Sequence, residues 1–374
     1  MIIDSHAYCF EAADSSTGYT SIEEHLRWVQ LGQAHHYQPA FRLKDRVHSS
    51  SEILYPKINE DINSLPDVNF RIDSASGRVV WTVNGEDYTK HYYPPNLRNC
   101  EFTPESLISE MDYANIDIAL LHTNPMLGRD SAYLAECVRK FPGRIYSMAP
   151  VDEWRIRDNP NEVINELITS INDYGLHAIK FNPTGYMTSP EPWDDGFYRP
   201  FWEVATSLNI PIFFSLGSGP GRDKWEASPK AQDAYLNELN ILIRWMDRYP
   251  NNVCSITHGF PYRSFLVDNQ VVLPKAIWEP FKNPNLNIEL SFPVRIGDKF
   301  DFPYHEVIPT IESMVNNIGA DHLLYGTDMP FQNRHCTYQQ SRDHIEKYCE
   351  FLNQEELDLI MGGTTARILN IARN

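Results

Sequence analysis

Residues 161–182 read NEVINELITSINDYGLHAIKFN, and two kinds of structure are written into that one stretch. From Asn161 to Tyr174 apolar side chains recur three and four residues apart, the spacing of a helix with one buried face. Gly175 follows where such a helix stops, since glycine accepts the left-handed backbone of a C-terminal cap. His177 to Asn182 (HAIKFN) is then too apolar for a strand with one wet face, which fits a strand buried on both sides. Helix followed by doubly buried strand is the repeating unit of a parallel sheet.

The same unit recurs in both directions from there. Strand-like runs lie at Ile2–His6, Ile116–His122, Arg144–Pro150, Pro211–Leu216, Val253–His258, Leu286–Ser291 and His322–Thr327. Amphipathic segments at Pro104–Ala114, Ala132–Lys140, Phe201–Leu208, Ala231–Tyr249 and His305–Ile318 separate them. Thr103 followed by Glu105 marks one helix start. Eight strands alternating with helices predict an α/β fold of the (β/α)8 TIM-barrel type, residues 1–374 forming a single domain.

Residues 11–103 break the alternation, because a strand-to-helix connection needs far fewer residues. The stretch holds a helical piece near Ser21–Leu31, a polar His35-His36 pair expected in solvent, and a hairpin signal at Asn84-Gly85. It leaves the first strand at its carboxyl end, so it is expected as an insertion forming a lid over the barrel mouth.

Composition narrows the partners. The chain has 374 residues, 50 Asp and Glu against 32 Lys and Arg, and a net charge of −18. Such a charge argues against nucleic acid and anionic membrane surfaces, which call for clustered cations. No apolar run is long enough to span a bilayer, and Asp4 with no basic n-region argues against a secretory signal. The six cysteines are scattered, reading as reduced buried thiols; Cys9 reads as a small apolar filler. A cytoplasmic protein binding a small organic acid is expected, with a homo-oligomer left open.

In a barrel, polar residues at the carboxyl ends of strands face the site. Here these are Asp4, His6 and Tyr8, then His122 and Asn124, Asp152, Lys180 and Asn182, Ser215, His258, the trio Glu289, Ser291 and Arg295, and finally Asp328. Histidines and a carboxylate converging from several strands are the parts of an acid–base or metal site.

The local contexts IIDSHAY, SITHGFP and LLYGTDMPF, with the closing MGGTTARILNI, resemble the amidohydrolase superfamily. The nearest resemblance is to the amidohydrolase-2 branch that includes aminocarboxymuconate-semialdehyde decarboxylase, resorcylate-type decarboxylases and small lactonases. The resemblance implies His6 and Asp328 as metal ligands and His258 as a catalytic histidine beside the metal. It also shows departures: Tyr8 and Ser215 stand where two further ligand histidines are expected. Zinc or manganese is therefore disfavoured, and if one binds, His6, Asp328 and His258 are its expected ligands.

The chemistry that follows is hydrolysis of a small unsaturated or aromatic lactone- or ester-type acid derivative, Asp328 activating water and His258 and His6 polarising a carbonyl. The alternatives are a non-oxidative decarboxylase of an aromatic or muconate-type acid, and an inactive barrel that binds a ligand. Lys180, Arg295 and Arg334 are expected to hold a substrate carboxylate, with Tyr8, Asn182 and Ser215 lining the pocket and Tyr88, Tyr92 and Tyr93 supplying an aromatic roof.

Overall fold

The apolar runs pair in chain order. In the computed structural model, which describes residues 1–50, 52–54, 62–183, 191–217 and 227–372, eight strands form one sheet. They are β1 (Ile3–Ala7), β2 (Ile118–Leu121), β3 (Ile145–Ala149), β4 (Ala178–Phe181), β5 (Ile212–Phe214), β6 (Cys254–Ile256), β7 (Leu286–Leu290) and β8 (Leu323–Tyr325). Every neighbouring pair is parallel. Just past β8 the chain returns to β1: Tyr8 N–H donates to the Met329 carbonyl at 2.8 Å, and Asp328 N–H to that of His6 at 2.8 Å. The sheet thus closes on itself, and the fold is a (β/α)8 barrel.

Helices at Pro104–Ala114, Ser131–Lys140, Pro160–Asn172, Arg199–Ser207, Pro229–Arg248 and Ile308–Ile318 fill the connections. Their ends follow local chemistry: Thr103 Oγ1 accepts the Ser106 N–H at 3.3 Å, and Gly175 takes φ +69° beyond a helix end. Apart from Tyr146, every residue of the eight strands is buried, which explains why the strands read as continuous apolar runs rather than alternating ones.

The interior is layered by the two-residue period of a strand. Leu120, Met148, Ala178, Phe213 and Leu324 pack together as an apolar layer. Two residues further along the same strands come His122, Lys180, Ser215 and Gly326. Apolar filler thus gives way to a polar layer one step nearer the mouth. Gly326 is required there, since a Cβ would lie 2.9 Å from Ser5 Oγ and 3.2 Å from the His6 Cβ.

Between β1 and β2 the chain builds a helix, Ile22–His35, and a five-stranded antiparallel sheet from 40–42, 48–49, 71–73, 78–83 and 86–90. The Asn84-Gly85 turn joins the two longest of these strands, with φ +52° and +79°. Helix and sheet share a core of Ala34, Ala40, Leu54, Val68 and Trp81. Buried Lys90 ties them further, its Nζ donating to the carbonyls of Gln33 (2.5 Å) and His36 (2.6 Å) at the helix end. The helix runs four residues past the segment expected from sequence. All six cysteines are buried and unbridged. Among the described residues no helix is long and apolar enough to cross a membrane.

Candidate active site

At the carboxyl ends of the strands lies a cavity of about 160 Å³. Tyr8, Lys180, Asn182, Ser215, His258, Arg295, Asp328, Arg334 and Tyr92 line it. His6 lies directly beneath, fully buried. These are ten of the twelve site residues read from the sequence, drawn from loops and strands across the whole chain.

The other two lie elsewhere. Tyr88 sits in the insertion's own sheet, its ring 6.4 Å from Trp81. Tyr93 is wedged between Phe10 (6.0 Å) and Phe331 (5.9 Å). Neither borders the cavity, so the aromatic roof expected from three tyrosines reduces to Tyr92. The roof is completed by His35 and His36, only 6% and 8% exposed rather than solvated. The reason is the longer helix: it carries both to the barrel mouth, where His36 stacks on Tyr37 (4.4 Å) and meets Tyr92 edge-on (4.7 Å). Gly32 on the same helix also borders the cavity and is packed against Met126.

The floor is a ring of hydrogen bonds. His6 Nδ1 lies 2.7 Å from Glu289 Oε2, which also accepts the His258 N–H at 2.6 Å. With Nδ1 donating to that carboxylate, the His6 Nε2 lone pair faces inward, 2.9 Å from Tyr8 OH and 3.3 Å from Asp328 Oδ1. His258 Nε2 lies 3.1 Å from the same Asp328 oxygen. On the other flank His122 donates Nε2–H to the Ser5 carbonyl (2.8 Å), leaving Nδ1 to accept from Lys180 Nζ at 2.8 Å. Lys180 also reaches Thr257 Oγ1 (3.3 Å), which is bonded to Ser215 (2.7 Å) and to His258 Nδ1 (3.3 Å). The His6 and His122 rings stack at 3.5 Å.

Burial sets the charge states. It pushes the Asp328 carboxyl up, opposed by His6, Arg334, Arg295 and Lys180. Glu289 is pushed well up for the same reason, and both His6 and His122 are held well below the usual histidine range. Lys180 falls to about 8. Burial pushes Asp4 up as well, to about 7, against the Thr327 and Tyr338 hydroxyls, which donate to it at 2.6 Å each; the Thr327 bond holds β1 to the turn carrying Asp328.

Three donor atoms converge at one point: His6 Nε2, His258 Nε2 and Asp328 Oδ1. Their 3.1 and 3.3 Å separations are the edges expected between ligands of one divalent ion. The Glu289 carboxylate behind His6 is the orienting partner that metal-bound histidines use. The residues present therefore fit a divalent metal through His6, His258 and Asp328, the three ligands expected from sequence if one binds.

A closed eight-stranded barrel with a histidine–carboxylate site at its carboxyl-end mouth defines the class: an enzyme of the (β/α)8 type. The amidohydrolase model, Amidohydro_2, matches residues 108–371, and the chain belongs to that family. It is 25% identical over 267 residues to gamma-resorcylate decarboxylase from Rhizobium sp. strain MTP-10005, spanning 64% of this chain and 74% of the relative. Its fold is similar to that of 2,6-dihydroxybenzoate decarboxylase complexed with 2,6-dihydroxybenzoate, with a TM-score of 0.53 at 20% identity over 71% of this chain and 88% of that one. It is similar also to a probable 2-pyrone-4,6-dicarboxylic acid hydrolase from Acinetobacter baumannii, with a TM-score of 0.52 at 16% identity over 72% and 90%.

Proposed function

We propose that the protein removes carbon dioxide, without an oxidant, from a small hydroxylated aromatic carboxylic acid. The observation that carries this reading is the placing of the Asp328 carboxyl in one cavity with Lys180, Arg295 and Arg334, an acid beside three groups suited to an anionic substrate. The decarboxylase relatives supply the substrate class. Hydrolysis, the reading that led from sequence, asks Asp328 to activate water; the gamma-resorcylate decarboxylase relatives favour the acid role instead.

The cations hold the substrate's carboxylate and ring hydroxyls, the arginines through paired charge-assisted hydrogen bonds. Asp328 passes its carboxyl proton to the ring carbon bearing the carboxylate. The carbon–carbon bond breaks, its electron pair returns to the ring, and carbon dioxide leaves. Asp328 then recovers one proton from solvent, so each turnover consumes one. A divalent ion held by His6 Nε2, His258 Nε2 and Asp328 Oδ1 would supply Lewis-acid polarisation of substrate oxygens, with Asp328 Oδ2 left to carry the proton. We read residues 11–103 as a lid whose His35, His36 and Tyr92 keep water from the ring while the proton moves.

The test is incubation with 2,6-dihydroxybenzoate and related acids in D₂O. Carbon dioxide and an arene carrying one deuterium at the vacated carbon are expected. Turnover of lactones alone would overturn the reading in favour of hydrolysis. Chelation followed by manganese or zinc add-back should lower and then restore activity about tenfold or more; activity indifferent to chelator would remove the metal from the site.

A further inference from the structure

Decarboxylation as proposed takes up a proton at every turnover, yet Asp328 lies at the floor of a cavity roofed by the insertion. A second, smaller cavity adjoins it from the side, with Lys180 and Asn182 in the shared wall. Glu153 begins the short turn Glu153–Arg155 after β3 and is 3% exposed. Its Oε1 accepts the Asn182 N–H at 2.5 Å, while its Oε2 is buried without a hydrogen-bond partner among the described residues. Both Glu153 and Lys180 border a small separate cavity of about 10 Å³, room for about one water molecule. Lys180 also lines the substrate cavity, so a single ammonium group stands in the wall between the two.

We propose that Glu153 is the proton-input residue of the site, passing its carboxyl proton across the small cavity to Lys180 and refilling from solvent on its far side. The transfer turns a carboxylic acid and a neutral amine into a carboxylate and an ammonium. Lys180 becomes neutral by giving its own proton to the spent Asp328 carboxylate across the substrate cavity that both line, so the ammonium becomes an amine and the carboxylate an acid again. No oxidant or second substrate enters. This rests on the decarboxylase reading only for the demand that draws the proton.

The acidities suit the exchange. Burial raises Glu153 to about 8 and lowers Lys180 to about 8, so neither partner traps the proton. The charged groups around Glu153 are Lys180 and Asp152, the latter paired with Arg129 and Arg155. Those around Lys180 are Glu289, Asp328, Glu153 and Arg295. A structural role, bracing the Asn182 N–H, is the competing explanation. Glu153→Gln keeps that acceptor and removes the transferable proton, so it separates the two.

The experiment compares Glu153→Gln, Glu153→Asp and wild type in the full chain. Glu153→Gln is expected to lower kcat about 10²-fold with KM within about twofold, and Glu153→Asp to recover part of that loss. Independently of turnover, the Lys180 side chain is titrated by NMR with ¹³Cε-labelled lysine. Losing the neighbouring carboxylate should move its midpoint down by about half a pH unit or more. Wild-type kcat in Glu153→Gln overturns the proposal, whatever the titration shows. Should wild type release no carbon dioxide from any arene acid, the decarboxylase reading fails by itself; the NMR titration then decides, a shifted midpoint upholding the Glu153–Lys180 exchange and an unchanged one overturning it. If Glu153→Gln folds poorly, Glu153→Asn, which also lacks the transferable proton, carries the same comparisons.

Discussion

The floor and the roof of the cavity are held by different physics. On the floor, His6, His122, Lys180 and Glu289 are fixed by strand register, His6 bonding to Glu289 at 2.7 Å and Lys180 to His122 at 2.8 Å, each position set by the two-residue step of its strand. The roof is a separate piece of helix and antiparallel sheet, tied to the barrel rim by stacked cations. Arg263 lies 3.8 Å from the Tyr37 ring centre and Arg334 5.2 Å from that of Tyr92, with Arg334 Nη1 also donating to the Tyr92 carbonyl at 3.0 Å. Arg263 in turn is paired with Asp298 and donates to the Arg295 carbonyl at 2.9 Å, so it serves both tiers. A floor built this way cannot shift one residue without losing several bonds together, whereas a roof clamped by stacking can be retuned one side chain at a time. On the proposed function, chemistry would belong to the first and selectivity to the second.

That division can be broken by mutation. Asp328→Asn preserves shape and removes the transferable proton, and should lower kcat by about two to four orders of magnitude in a carbon dioxide release assay. Arg334→Met, at the roof contact, should instead raise KM about 10- to 100-fold, the worth of a lost charge-assisted hydrogen bond of about 1.5–3 kcal/mol, with kcat nearly kept. If Arg334→Met lowers kcat as far as Asp328→Asn, floor and roof are not separate in function. Tyr37→Leu removes the ring under Arg263 and should change KM only a few-fold, as a cation–π contact of about 0.5–2 kcal/mol allows.

The smallest effect concerns stability. Glu153 binds its proton more tightly folded than unfolded, so its contribution is full below about pH 4.5 and is lost as pH rises toward 8. Glu153→Gln lacks that titration. Melting curves should therefore show a shallower decline for the variant than for wild type between pH 5 and 8; parallel declines would mean that Glu153 is ionised in the fold.

The barrel was legible because its signals are local. Doubly buried strands have to be apolar along their length, and each of the eight runs named from sequence overlaps an observed strand. The strand-end polar residues followed from the same reasoning, Asp328, His258 and Lys180 among them. Glu289 and His122 were in view as strand-end residues, and alternation with Asn287 and Leu120 points both inward, a signal that could have placed them on the floor. The roof was harder. Tyr88, Tyr92 and Tyr93 are close in sequence, but only the fold of the insertion decides which one reaches the cavity. His35 and His36 read as solvated because nothing near them in sequence shows what lies above them. Glu153 carries no periodic signal, since its burial comes from the packing of a turn rather than from a strand or helix.

One feature of the floor bears on which variants can be made at all. His258 and Asp328 both have left-handed backbone, φ +64° and +66°, a conformation that asparagine, aspartate and glycine take readily and β-branched residues resist. The two positions will therefore show lopsided substitution profiles. Asparagine should silence either one while leaving yield and melting behaviour close to wild type, whereas valine, isoleucine or threonine should reduce the amount of folded protein first. For trapping a bound acid in a crystal, His258→Asn and Asp328→Asn are the variants to express, and a library screened only for lost activity would confuse the two kinds of failure at just these two sites.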